Sequence, residues 1–167
     1  MSLRFQVSDL LAHSGRARHE SAATHVDTSL VGAVIDDEAE VEVDLRSLSD
    51  GIVVRGRAVA PVDLTCRRCL KEWTEPLEVG LEAVFRIHPD DEDEELPVTD
   101  GGWIDLGPLV HDELSLALPD RPLCRPECLG LCSTCGADLN DDPCGGHGDE
   151  SDSPFAALRD VFGSEET

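Results

Sequence analysis

Four short ligand pairs constrain this chain more than anything else in it: Cys66-x2-Cys69, Cys124-x3-Cys128, Cys132-x2-Cys135 and Cys144-x2-His147. Five of the cysteines and the histidine fall within the 26 residues from Pro122 to His147. A two-residue spacer lets both sulfurs reach one ion while the amides between them turn toward sulfur, as structural zinc sites require. Eight ligands fill two tetrahedral sites. Disulfides fit less well: seven cysteines leave one unpaired, and closely spaced thiols in a reducing cytosol are more often metal ligands. The spacing predicts one or two structural Zn2+ ions.

The pairs combine in one of two ways. In the first, Cys132, Cys135, Cys144 and His147 close a ribbon-like site over a loop of eight residues, and Cys66 and Cys69 take Cys124 and Cys128. In the second, the two Cys-x2-Cys pairs join each other and the remaining ligands bind weakly. Loop closure favours the first, because its local site restrains less chain and every ligand is used.

The rest of the sequence reads as β-structure. Leu3 to Val7 alternates apolar and polar, whereas Ala12 to Ser29 is polar and poorly patterned and is expected to be loop or weak helix. From Glu40 the alternation sharpens, with Val41, Val43 and Leu45 on one face. Ser49-Asp50-Gly51 marks a turn into IVVRGRAVAPVDL, and WTEPLEVGLEAVFRI puts Trp73, Leu77, Val79, Leu81, Ala83, Phe85 and Ile87 at odd positions, interrupted by Glu75, with the even positions mostly polar. These are strands of an antiparallel sheet with one wet face. The run DDEDEE at Asp90–Glu95 is a solvated loop, and Trp103 to Leu106 reads as a short strand. Pro108 opens a helix to about Leu118 with Leu109, Val110, Leu114, Ala117 and Leu118 on its stripe; Pro119 ends it. Ser153-Pro154 starts a last short helix carrying Phe155, Leu158 and Phe162.

The expected fold is therefore α+β and β-rich: an antiparallel meander sheet with one packed helix, a zinc-stapled cysteine segment and a short C-terminal helix. Its organisation is a β-rich domain over 1–122 that holds the helix at 108–118, a zinc-binding segment over 123–148, and an acidic tail over 149–167. No apolar run approaches the ~18 residues of a membrane helix, and MSLRFQVSDLLAHSGRARHE lacks the charged and apolar regions of a signal peptide. The expected location is the cytosol, with no membrane partner.

Charge narrows the partners. With 36 acids against 13 bases the net charge is −23, so most of the surface repels nucleic acid and attracts basic proteins. The bases are not evenly spread. Arg55, Arg57, Arg67, Arg68 and Lys71 lie within 17 residues, and Arg121 and Arg125 flank Cys124. If a metal joins the first two cysteine pairs, these seven could gather into a patch for a few RNA phosphates; equally, arginines beside a four-thiolate zinc offset its −2 charge.

Enzymatic readings fare poorly. A catalytic zinc keeps a position open for water beside a base, whereas thiolate-rich sites are closed, and no His-Glu-x-x-His occurs. Cys66-Arg67-Arg68-Cys69 would have lowered thiol pKa values, but its hairpin context differs from the strand-to-helix turn of a redox βαβ unit. A non-enzymatic interaction protein without a small-molecule substrate is expected; the alternatives are a zinc-ribbon nucleic-acid-binding module and a thiol-based redox-responsive protein.

Three blocks, CRRCLKEW at 66–73, IDLGPLVHDELSLALPDRPLC at 104–124 and CLGLCSTCGADLN at 128–140, resemble the YceD family of large-subunit ribosomal RNA accumulation proteins, and SPFAALRDVF is consistent with it. The resemblance covers most of the chain. It implies a bacterial (or plastid) cytoplasmic factor needed for normal 23S rRNA levels, with no enzymatic activity, commonly encoded beside a small basic protein of the large subunit. A basic large-subunit ribosomal protein, 23S rRNA, or both are the partners it suggests. The family pattern ends in Cys-x-Cys, whereas this chain ends in Cys144-Gly-Gly-His147, so the fourth ligand of the last site departs from it.

Overall fold

The alternating stretches pair into a meander of long strands. The computed structural model describes residues 3–89, 96–141, 144, 145 and 147. The acidic run at 90–95 and the short helix expected from Ser153 lie outside the described residues. One compact unit spans Met1–Cys128 and a second begins at Leu129.

In the first unit, β1 (Arg4–Gln6) and the four-residue helix α1 (Ser8–Leu11) precede four strands of 14 or 15 residues: β2 (Ala17–Leu30), β3 (Ala33–Ser47), β4 (Gly51–Thr65) and β5 (Glu72–Arg86). These pair antiparallel in chain order, and the two-residue β6 (Leu96–Pro97) adds a parallel edge to β5. The strand β7 (Trp103–Asp105) pairs antiparallel with β1 and leads into α2 (Gly107–Ala117).

One side of the sheet is dry. Ala33, Ile35, Ala39, Val41, Val43 and Leu45 of β3 are all buried, as are Val54, Ala58, Ala60, Val62 and Leu64 of β4. Val79, Leu81 and Phe85 continue this layer on β5, while Trp73, Leu77 and Ala83 are half-buried. Each fully buried Val, Leu, Ile or Phe contributes roughly 1.5–3 kcal/mol. The helix α2 lays Val110, Leu114 and Leu118 into this core; Ala117, expected on the same stripe, is exposed. It packs against β5 and also β2, where the Thr28 and Ser115 hydroxyls are 2.8 Å apart. The sheet curls to bring both strands to one helix.

Ala12 to Ser29 is corrected: most of it is strand β2, registered on β3 from Ala17↔Arg46 to Leu30↔Ala33. Apolar alternation does not reveal this strand, because its inward positions are Arg18, Glu20, Ala22, Thr24, Val26 and Thr28. Only Val26 and Thr24 are fully buried. Pairing along the whole of β3 holds the strand in place. β3 likewise begins at Ala33, seven residues before the alternation becomes plain at Glu40.

A proline shapes the sheet's outer face. Pro61 has no amide to donate, and opposite it the β3–β4 ladder slips: the five residues from Ile35 to Ala39 span only Ala60 to Val62. A proline inside a sheet is accommodated at such a bulge. Nearby, Gly56 sits where a Cβ would lie 2.0 Å from the Glu42 carbonyl oxygen, so the close approach of β3 and β4 requires glycine there.

Asp105 fastens the start of α2. Its Oδ1 accepts from the amides of Gly107 at 2.9 Å and Leu3 at 3.1 Å, and its Oδ2 accepts from Arg4 at 3.2 Å. Burial pushes this carboxyl up, but the Gly107 amide, Arg4 and the Leu3 amide together hold it below the ordinary aspartate value.

Candidate metal centre

Each candidate centre is built on the same hairpin knuckle. At the end of β4, Cys66 donates its amide to the Lys71 carbonyl at 2.8 Å, and Leu70 donates back to the Cys66 carbonyl at 3.0 Å. In the second unit Cys132 donates to Ala137 at 2.8 Å, and Gly136 donates to Cys132 at 2.9 Å. Both turns place the residue after the second cysteine in the left-handed region, Gly136 at φ 74° and Leu70 at φ 60°. Glycine adopts that conformation freely; leucine pays about 1–2 kcal/mol there. Leu70 is 61% exposed and has little packing to lose. Leu70→Gly should therefore stabilise the metal-loaded protein by roughly 0.5–1 kcal/mol in denaturant melts, and Gly136→Leu should weaken metal retention at the second knuckle.

The eight ligand residues gather as two sets: Cys66, Cys69, Cys124 and Cys128 in the first unit, and Cys132, Cys135, Cys144 and His147 in the second. Within each set one donor atom per residue lies within 4.8 Å of all the others. All seven cysteines are free, so no disulfide competes. In the first set the Cys66–Cys128 and Cys69–Cys124 sulfurs stand 3.8 and 3.6 Å apart. A tetrahedral ion with metal–sulfur bonds of ~2.3 Å separates its sulfurs by ~3.8 Å, whereas a disulfide brings them to ~2.05 Å. The donors fit a four-coordinate metal.

The sets differ in burial. Cys66, Cys69 and Cys128 are buried and Cys124 half-buried, whereas Cys135 and His147 are exposed and Cys132 and Cys144 intermediate. Burial pushes the Cys66 thiol up, but the amides of Cys124, Cys69 and Arg68 outweigh it and bring it down to about 6. Burial and its thiol neighbours Cys69, Cys128 and Cys66 push Cys124 up to about 12. Four thiolates this close together repel one another, and a divalent cation bound among them would offset that repulsion. At the second set the amides of Cys135 and Thr134, then the Cys144 thiol, bring Cys132 down to about 6.

Arginines brace the first site. Arg67 donates to the Asp120 carbonyl at 2.8 Å, and Arg68 donates to the carbonyls of Cys128 at 2.8 Å and Pro126 at 3.3 Å. The Arg67 amide also donates to Pro122 at 3.0 Å. These bonds join the knuckle to the segment carrying Cys124 and Cys128. Arg55 and Arg57, further along β4, instead pair with acids: Arg55 with Glu82 at 2.7 Å, and Arg57 with Glu42 at 2.9 Å and Glu78 at 3.8 Å. Arg121 lies 3.9 Å from Asp120; Arg125 and Lys71 are exposed. Of the seven bases singled out in the sequence, Arg67 and Arg68 serve the metal-site backbone and Arg55 and Arg57 serve the sheet.

The second unit has a candidate metal site and little core. Among its described residues no side chain is buried, and its fold rests on a short hairpin. Leu131 bridges Asp138, Leu139 donates to Gly130 at 2.9 Å, and the Leu129 amide donates to the Asn140 side chain at 2.9 Å. The Asp138 carboxylate holds Asn140 in turn. Asn140 and Asp138 escape a search for metal ligands; their signal is a polar pair following a Cys-x2-Cys-Gly turn.

Comparison with known proteins places these features in context. The family described as "Large ribosomal RNA subunit accumulation protein YceD" matches residues 54–162, a span that includes all eight ligand positions. Uncharacterized proteins of Mycobacterium tuberculosis and Mycobacterium bovis are 36% identical over 157 residues, covering 88% of this chain and 74% of theirs. One from Mycobacterium leprae is 35% identical over 138 residues, covering 77% of this chain and 62% of its own length. No solved structure matches.

Proposed function

The chain belongs to the YceD family of large ribosomal RNA subunit accumulation proteins, and from that premise we propose that it is a non-enzymatic factor that binds a basic large-subunit ribosomal protein in the bacterial cytoplasm. By holding that client during assembly it supports accumulation of 23S rRNA. The observation that carries this reading is the charge: −23 over 167 residues, with acids along the solvent face of the sheet. Such a surface draws a basic protein by long-range attraction and repels free phosphate backbones.

The two sites hold zinc as structural staples. Four protein ligands apiece leave no position for substrate or activated water, which supports a binding role over a catalytic one. Composition argues against reading the second site as a nucleic-acid ribbon: from Leu129 to Thr167 the chain has a single base, Arg159. A ribbon that neutralises phosphates needs several.

Pull-down of the tagged protein from bacterial lysate, with and without nuclease, tests the proposal. The expected result is a small basic ribosomal protein retained after nuclease and released by salt that screens charges beyond ~10 Å. Loss of all ribosomal material on nuclease treatment would transfer the function to RNA binding.

A further inference from the structure

The solvent face of the sheet has two electrostatically different ends. Along the middle of β4 the charges neutralise one another, with Arg55 and Arg57 holding Glu82, Glu42 and Glu78. Toward the Pro61 bulge acids outnumber bases: His25 pairs with Asp36 at 3.1 Å, and the carboxylates around the bulge's hollow are left, among the described residues, without a cation. There a hollow of about 320 Å³ is lined by Val59, Pro61 and Pro76 together with Glu38 and Glu40, and by Glu75, which is exposed although it shares the inward register of Trp73 and Leu77 on β5. At Thr74 it meets a second hollow of about 560 Å³, where Val34 and Trp73 lie beside Asp63 and Glu72. No lysine, arginine or histidine among the described residues lines either hollow. Among the described residues none of these five carboxylates is in an ion pair; Asp63 accepts from Thr74 and Glu75 from Trp73.

We propose that this double hollow is the docking groove for an extended, lysine- or arginine-rich segment of a protein client. The proposal rests on the basic-client reading and assigns it a surface. Apolar side chains of the client would lie on Val59, Pro61 and Pro76, and its cations would reach the unpaired carboxylates around them. Glu38 lies within the bulge of β3 opposite Pro61 and lines the hollow. RNA is a poor occupant, because five carboxylates without a cation repel phosphate.

The test uses the full-length, metal-loaded protein and a short fluorescein-labelled peptide alternating lysine with valine, titrated at low ionic strength. The triple variant E38Q/E40Q/E75Q removes three exposed charges lining the hollow, whereas E42Q/E78Q/E82Q removes as many from the self-paired end. Retained metal content and circular dichroism verify that both fold. The first set should weaken binding about tenfold and the second by no more than about twofold. A probe with serine in place of valine should bind more weakly at equal charge. Equal weakening by both sets, or none by the first, overturns the groove and leaves the basic-client reading standing. Displacement of the peptide by a single-stranded oligouridylate also overturns the groove. No binding of the peptide by the wild type at low salt fails both.

Discussion

Cys66→Ser should halve the metal content, from about two zinc ions per chain to about one, and abolish cooperative unfolding of the first unit. Cys66 is fully buried, donates its amide across the knuckle, and shares its sulfur contact with Cys128, which lies 62 residues away in sequence. A structural zinc contributes roughly 10–16 kcal/mol of apparent binding free energy, comparable with the ~5–15 kcal/mol that separates a folded domain from its unfolded chain. A serine oxygen is a poor substitute for thiolate, and it leaves three sulfurs crowded together without their cation. Hydrogen exchange should rise together at the ends of β4 and β5 and at residues 120–128, which Arg67 and Arg68 hold to the knuckle. The second unit is expected to keep its ion. Elemental analysis returning two zinc ions from the variant, or none from the wild type, would sink the assignment.

Chelation should separate the two centres by rate. A strong zinc chelator at neutral pH is expected to take the ion from the second set at least about a hundredfold faster than from the first, because ligand opening, not affinity alone, limits release. Cys135 and His147 are exposed, so a chelator can meet the ion there as soon as one ligand lets go. At the first set, Cys66, Cys69 and Cys128 are covered by the same packing that closes the sheet end. Losing the exposed ion should also erase exchange protection from Gly130 to Asn140, since that hairpin has no buried side chain to fall back on. Short metal-dependent modules behave in this way, their binding free energy being their folding free energy. Release of both ions in a single phase would refute the distinction between a buried and an exposed centre.

The basis of these expectations was unevenly visible in the chain. Cysteine spacing is a covalent property, and a two-residue gap lets two sulfurs reach one ion, so the candidate ligand residues are legible without a fold. Alternation worked where the inward residues were Val, Leu, Ile and Phe, as on β4 and β5. It failed on β2, where the inward residues include Arg18, Glu20 and Thr24 and the strand is specified by the partner it pairs with.

The sequence by itself determined which side chains can bind metal, the strong acidity of the chain, and the strands whose apolar period matches the pleat. Each depends on neighbours close in the chain or on composition alone. Tertiary structure decided which sulfurs meet, since Cys66 and Cys128 come together only after the sheet curls and α2 returns the chain to the β4 end. It decided that Arg67 and Arg68 bind backbone carbonyls, and that Arg55 and Arg57 are taken up by acids on adjacent strands. It also decided where negative charge remains unpaired, because cross-strand register puts an arginine within reach of Glu42 and Glu82 and, among the described residues, none in an ion pair with Glu38 or Glu40. Pairings of this kind are set by distance in space, which sequence separation does not encode until the long-range contacts have formed.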